Sequence, residues 1–131
     1  MLFYIASRLS CRPKLHEVRA KLREMKHEVI ATWLDEHSDY SDNPDHSRKV
    51  AMRDLCQISM VDTIILDTTS PISKDGGGGR ETEWGFAIGQ YQHKHLWRVG
   101  PAKNVFLYLA DVSFESFDEM FDYLDKKKGK Q

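Results

Sequence analysis

Glu83 and Asp54 are the carboxylates whose positions best fit acid–base or nucleophilic chemistry. Glu83 precedes Phe86 by three residues and Ala87 by four, so in a helix it would point toward the packed side. It also lies near the first turn of that predicted helix, where the helix dipole favours a carboxylate. A glutamate that only stabilises its own helix fits the same spacing.

Asp54 shares the apolar face of an earlier predicted helix with Ala51 and Ile58. Burying an aspartate in an apolar stripe is costly unless it is paired or hydrogen-bonded. Asp54 is therefore either a functional residue or a boundary residue that pairs with Arg53 or Arg48 or caps a neighbouring loop. The sequence alone leaves both interpretations open.

Other candidate ligand contacts give weaker signals. The hydroxyl of Tyr4, on the first predicted strand, can lie at the sheet edge, although a core aromatic is the commoner role. Trp33 can likewise stack on a base or pack in the core. The glycine run at 76–79 leads into a predicted helix and can cradle an anion, but it matches neither dinucleotide nor Walker motifs. The histidines show no metal-ligand spacing, so we expect no metal.

The elements that position these residues alternate between strand and helix. Apolar runs predict strands at 2–6, 28–34, 62–67, 96–99 and 105–109. Helical periodicity predicts helices beginning near Pro13 and at 47–60, 80–90 and 114–124. This alternation predicts an α/β fold: a five-stranded parallel sheet flanked by helices, in a flavodoxin-like or Rossmann-like three-layer sandwich.

The predicted loops indicate where a ligand would bind. Open parallel sheets bind ligands outside the carboxyl ends of their strands. In this sequence those ends correspond to residues 7–10 and to two polar loops at 35–45 and 67–79. We therefore expect the functional site along that edge.

Composition narrows the class of protein. The 131 residues carry a net charge of −1, with 40% hydrophobic and 30% charged residues. This balance is typical of a globular domain and gives no electrostatic footprint for a nucleic acid polymer. We expect one domain over 1–125, a frayed basic tail at 126–131 and no membrane span. Cys11 and Cys56 form no disulfide framework, which favours a cytoplasmic setting.

Three segments together resemble a known family. The run Glu-Trp-Gly-Phe-Ala at 83–87 resembles the Glu-x-Gly-x-Ala signature of the nucleoside 2-deoxyribosyltransferases. The 2'-deoxynucleoside 5'-monophosphate N-glycosidases share that signature. The opening strand at 3–7 carries the family's tyrosine. The Arg-Asp-Leu at 53–55, followed by the strand at 62–67, is similar to the family's helix aspartate and following strand.

The resemblance implies a set of roles. Glu83 would attack the anomeric carbon of a nucleoside or nucleoside 5'-monophosphate, Asp54 would orient or protonate, and Tyr4 would position the glutamate. The resemblance further implies a homo-oligomer, a dimer or larger, and no cofactor. The candidates for substrate contacts are Ser7, Trp33, Asp67 and Gly79.

Departures from the family pattern keep an alternative open. The loop at 6–10 lacks the glycines of the nucleotide hydrolases, and Asp75 is the nearest candidate for an additional family aspartate. Arg80 and Glu81 lie beside the proposed nucleophile, where they would bind substrate or pair with each other. The alternative is a non-catalytic nucleotide-binding module on the same scaffold, and a third hypothesis is an interaction protein with a vestigial pocket.

Overall fold

A parallel sheet of five strands, in the order β2-β1-β3-β4-β5, forms the centre of the computed structural model, which describes residues 1–36, 43–70 and 78–129. The strands are β1 (Leu2–Ala6), β2 (Glu28–Val29), β3 (Thr63–Asp67), β4 (His95–Val99) and β5 (Val112–Phe114). The helices are α1 (Arg12–Glu24), α2 (Pro44–Met60), α3 (Gly79–Ile88) and α4 (Phe117–Gly129). The strand order is the flavodoxin-like one, so the predicted fold class is confirmed.

The central strands are buried because helices cover both faces of the sheet. All five residues of β3 are buried, as are Phe3 to Ala6 of β1. Right-handed crossovers place α1 on one face, and α2 and α3 on the other, because the chain moves across the sheet in opposite directions. α4 lies beside α1, where Lys14 Nζ is 4.9 Å from the centre of the Phe117 ring. α2 packs against α3, and α3 packs on β1 and β3.

The predicted second strand at 28–34 is too long. β2 ends at Val29, and a 3₁₀ helix over Thr32–Asp35 replaces the rest. The apolar residues of this stretch are buried by a turn rather than by extended pairing. The indole N–H of Trp33 donates to the Ile5 carbonyl at 2.8 Å, which seats the turn against the end of β1.

The predicted fifth strand at 105–109 is wrong. These residues form a 3₁₀ helix, Val105–Leu109, and the fifth strand is β5. A short apolar run does not distinguish a strand from a helical turn, so local capping decides. Asn104 Oδ1 accepts a hydrogen bond from the Phe106 N–H at 2.9 Å, and Arg98 donates to the Leu107 carbonyl at 2.5 Å.

Helix ends also differ from the predictions. α2 begins at Pro44, three residues early, because Asn43 caps it through the N–H of Asp45 at 3.0 Å. α4 begins at Phe117 rather than at 114, and it continues to Gly129. The lysines at 126–128 therefore form the last helical turn instead of a frayed tail, and cations there complement the helix dipole.

Parts of the two polar loops, 37–42 and 71–77, lie outside the described residues, and Asp75 is among them. Within the described ranges, no helix has the length and apolar character needed to span a membrane.

Candidate active site

Glu83 and Tyr4 meet although 79 residues separate them in the chain. Tyr4 lies in the centre of β1 and is fully buried, and its hydroxyl donates a hydrogen bond to Glu83 Oε2. Glu83 lies one turn into α3, which packs over β1 and β3 and so brings the carboxylate above the tyrosine. The ring of Tyr4 therefore lies in the core, while its hydroxyl faces the carboxylate of Glu83.

The surroundings of Glu83 favour its neutral form. The pKa of Glu83 is raised from the usual 4.5 to about 8, chiefly by burial; the hydrogen bond from Tyr4 opposes this rise, and the negative charge of Asp54 contributes to it. Burial, followed by the charge of Glu83, also raises the pKa of the Tyr4 hydroxyl, which therefore remains a neutral donor. A carboxylate with this perturbation, placed beside a second acid, is typical of functional sites.

Asp54 belongs to the same cluster. It is partly buried on α2, and its charge acts on both Glu83 and Tyr4. Arg53 donates to Asp54 Oδ1 through Nη2 at 2.8 Å and through Nε at 3.2 Å. Burial raises the pKa of Asp54, while the hydrogen bond and charge of Arg53 oppose that rise. Of the two arginines considered from sequence, Arg53 is the partner of this aspartate.

Arg53 also contacts Glu36, a residue that the sequence analysis did not single out. The guanidinium of Arg53 donates to both oxygens of Glu36, at 2.7 and 3.1 Å. The hydrogen bond from Arg53 lowers the pKa of Glu36 despite partial burial. Arg12 also donates to the Glu36 carbonyl. The Arg-Asp doublet at 53–54 was a signal for the arginine, but Glu36 stood in no recognisable motif.

Ser7 and Asp67 form a second cluster, where β1 and β3 end. Ser7 Oγ donates to Asp67 Oδ2 at 2.8 Å. The other oxygen, Oδ1, accepts from the N–H of Thr69 at 2.9 Å and from its hydroxyl at 2.6 Å. The Asp67 carboxylate, which is fully buried, thus joins the ends of two neighbouring strands.

The remaining predicted contacts lie elsewhere. Trp33 is 6% exposed and packs in the core through its bond to Ile5, as the structural interpretation expected. Gly79 is the first residue of α3, after Gly78 in the left-handed region at φ 83°. Arg80 and Glu81 pair with each other at 2.9 Å.

Arg80 also supports the end of β3. Its guanidinium is buried and donates to the Asp67 carbonyl at 3.0 Å. The structure thus brings Glu83, Tyr4 and Asp54 together, and it pairs Ser7 with Asp67. The catalytic and substrate-binding roles of these residues stay predictions.

Comparisons with known proteins find solved structures that share this fold. A 2-deoxyribosyltransferase from Bacillus psychrosaccharolyticus superposes with a TM-score of 0.69 and 19% identity, over 95% of this chain and 96% of that one. A 2-desoxiribosyltransferase from Leishmania mexicana superposes with a TM-score of 0.63 and is 18% identical, over 95% of this chain and 97% of that one. The CMP N-glycosidase BcmB from Clostridium botulinum superposes with a TM-score of 0.56 and is 18% identical, over 96% of this chain and 99% of that one.

Sequence comparisons add nothing to this result. No protein-family model matches the chain, and the search of curated proteins finds no match. At these identities the structural likeness establishes a shared fold. It confirms the fold that the sequence resemblance implied.

Proposed function

We propose that this chain cleaves the N-glycosidic bond of a nucleoside or nucleoside 5'-monophosphate, by transfer or by hydrolysis. The observation that supports this proposal is the convergence of Glu83, Tyr4 and Asp54 from α3, β1 and α2. The solved structures that share the fold include two 2-deoxyribosyltransferases and a CMP N-glycosidase. Their chemistry is consistent with a site built around carboxylates.

The proposed reaction uses Glu83 as the nucleophile. Loss of the base leaves positive charge on the anomeric carbon, and a carboxylate stabilises that charge before it traps the sugar covalently. Asp54 assists departure of the base by orienting it or protonating it. Tyr4 holds one oxygen of Glu83 through its hydroxyl, which leaves the other oxygen to attack.

The ionisation of Glu83 fits a site that acts on a developing cation. With a pKa of about 8, only about a tenth of the glutamate is ionised at pH 7 in the substrate-free protein. A positive sugar beside a desolvated carboxylate favours the ionised form strongly, because the low dielectric strengthens their attraction. The site therefore interacts more strongly with the transition state than with the neutral substrate, which is the condition for catalysis.

Base release from a nucleoside and nucleotide panel tests the proposal. We expect the wild type to release free base from at least one substrate, measured by chromatography. Glu83→Gln keeps the size of the side chain and an acceptor for Tyr4 but removes the nucleophile, so we expect turnover to be lost. Glu17→Gln is the matched control, because Glu17 is exposed on α1.

Thermal shift with the same panel separates the alternatives. A stabilising nucleotide that loses no base would support the non-catalytic binding module. The absence of both binding and base release would favour the interaction protein. Equal base release by the wild type and by Glu83→Gln would refute the proposed role of the glutamate.

A further inference from the structure

Glu36 takes the larger share of the Arg53 guanidinium. Its two carboxylate oxygens accept from Nη2 at 2.7 Å and from Nη1 at 3.1 Å, so the contact is a bidentate ion pair. The side chains of Glu36 and Arg53 are only 28% and 29% exposed, so water and salt screen their attraction less than at an open surface. Glu36 therefore occupies the forked end of the guanidinium with both of its oxygens.

Asp54 meets the same guanidinium through one oxygen. Both hydrogen bonds that it accepts from Arg53, from Nε and from Nη2, go to Oδ1. Successive residues of a helix point in different directions, so the side chains of Arg53 and Asp54 do not face each other squarely on α2. The ion pair between them is thus one-sided and leaves Oδ2 of Asp54 outside it.

The segment that carries Glu36 is held by α1 on its other side. Arg12 donates to the Glu36 carbonyl, and Arg19 pairs with Asp35 at 2.8 Å. The carboxylate of Glu36 therefore reaches Arg53 from an anchored segment outside α2.

The ionisation of Asp54 reflects this division of Arg53. Burial raises the pKa of Asp54, the hydrogen bond and charge of Arg53 lower it, and the charge of Glu36 raises it. Glu36 itself stays ionised, because the hydrogen bond from Arg53 holds its pKa below the usual value. A single guanidinium cannot neutralise both carboxylates. The other titratable or charged groups that act on this cluster are Tyr4, Arg12, His46 and Glu83.

We propose that Glu36 is a positioning residue, which binds the forked end of Arg53 and so keeps Asp54 from forming a closed ion pair, leaving Oδ2 to meet the departing base. An acid that assists departure needs an oxygen that can hold a proton, and an aspartate clamped by both oxygens to a guanidinium gives that proton up. This inference rests on the proposed function, because it assigns Glu36 a task in a reaction that uses Asp54. An ion pair that only ties the 3₁₀ helix Thr32–Asp35 to α2 would stabilise the fold without affecting Asp54.

Glu36→Gln tests this role, because it keeps the size of the side chain and removes its charge. More of the Arg53 charge then acts on Asp54, so the pKa of Asp54 should fall, which carboxyl ¹³C NMR measures without substrate. In base release at pH 7, kcat should fall at least about tenfold while KM changes less than about threefold, since a positioned acid contributes about 10²–10⁴-fold in the transition state. Glu36→Asp keeps the charge and should restore most of the kcat and of the wild-type titration.

Asp35→Asn is the matched control. It removes the ion pair that the neighbouring residue makes with Arg19 of α1, and so weakens the same segment from the side away from Asp54. We expect it to leave the titration of Asp54 and the kcat unchanged. Far-ultraviolet circular dichroism checks that every variant stays folded.

The two measurements separate this inference from the proposed function. If the wild type releases base and Glu36→Gln keeps its kcat, only this inference is overturned. A pKa of Asp54 that is unchanged or raised in Glu36→Gln overturns it as well, whether or not base is released. So does a loss of kcat in Asp35→Asn as large as that in Glu36→Gln. A wild type that releases no base refutes the proposed function, whereas a lowered pKa of Asp54 in Glu36→Gln still supports the division of Arg53 between two carboxylates.

Discussion

The pH dependence of stability gives a test of the site that needs no substrate. Glu83 is held near Tyr4 with a pKa of about 8, whereas the usual value of 4.5 applies in the unfolded chain. Between these values the folded protein keeps a proton that the unfolded chain has lost. The stabilisation is therefore fully present below pH 4.5 and is lost as pH rises through 8. Glu83→Gln cannot ionise, so it should not show that loss.

The magnitude follows from the shift. One pKa unit corresponds to about 1.36 kcal/mol, and between about pH 5.5 and about pH 8 the wild type should lose at most about 3 kcal/mol through this group. Because Glu83 is only partly buried, solvent screening reduces this figure to about 2–3 kcal/mol. Relative to the wild type, Glu83→Gln should gain that amount over the same interval.

Urea unfolding at the two pH values, followed by tryptophan fluorescence, measures this difference. Other groups titrate in the same interval, but their contributions are common to both proteins and cancel in the comparison. Glu17→Gln, on exposed α1, should parallel the wild type. If Glu83→Gln loses stability with pH as steeply as the wild type does, the glutamate is not held protonated and the described geometry is wrong.

Three further substitutions test neighbouring parts of the structure. Tyr4→Phe removes a hydrogen bond worth about 1.5–3 kcal/mol, so the pKa of Glu83 should rise by about 1–2 units and activity at pH 7 should fall about 10- to 100-fold. An unchanged midpoint in the pH–rate profile of Tyr4→Phe would exclude this rise in the pKa of Glu83. Arg53→Gln should raise the pKa of Asp54, which carboxyl ¹³C NMR measures, whereas Arg53→Lys keeps a positive charge and should raise it less. Equal titration of Asp54 in the wild type and both variants would contradict the proposed pairing. Gly100 has φ 110°, and a Cβ added there would lie 2.8 Å from a backbone atom. Gly100→Ala should therefore lower the free energy of unfolding, measured in urea, by about 2–4 kcal/mol. An unchanged free energy of unfolding would be inconsistent with this backbone conformation.

Most of the fold could be predicted because its signals are local. The run at 62–67 has a continuous apolar centre, Ile-Ile-Leu, which is typical of a strand covered on both faces, and β3 occupies Thr63–Asp67. The periodicity of Leu15, Val18 and Leu22 predicted α1, where all three side chains are buried. Apolar patterns of this kind indicate which face of a strand or helix is buried. The alternation of strands and helices along the chain then restricts the topology of the sheet.

The wrong strand predictions fall on segments where the apolar character of the residues does not indicate the backbone conformation. Val105–Leu109 is an apolar run whose residues are mostly exposed, and its helical turn depends on Asn104 and Arg98. The stretch at 28–34 likewise buries Trp33 by turning rather than by extending. Local hydrogen bonds from Asn104 and Arg98 decide the first case, and they give no signal in the apolar pattern. In the second case the deciding partner is the Ile5 carbonyl, which is distant in sequence.

The sequence by itself determined most of the elements, the parallel α/β class and the candidate residues Glu83, Asp54 and Tyr4. Only the tertiary structure decided that Tyr4 donates to Glu83, that Arg53 rather than Arg48 pairs with Asp54, and that Trp33 belongs to the core. The reason is physical. Residue type and spacing fix which face of an element is apolar, whereas contacts and pKa values depend on which elements the folded chain packs together.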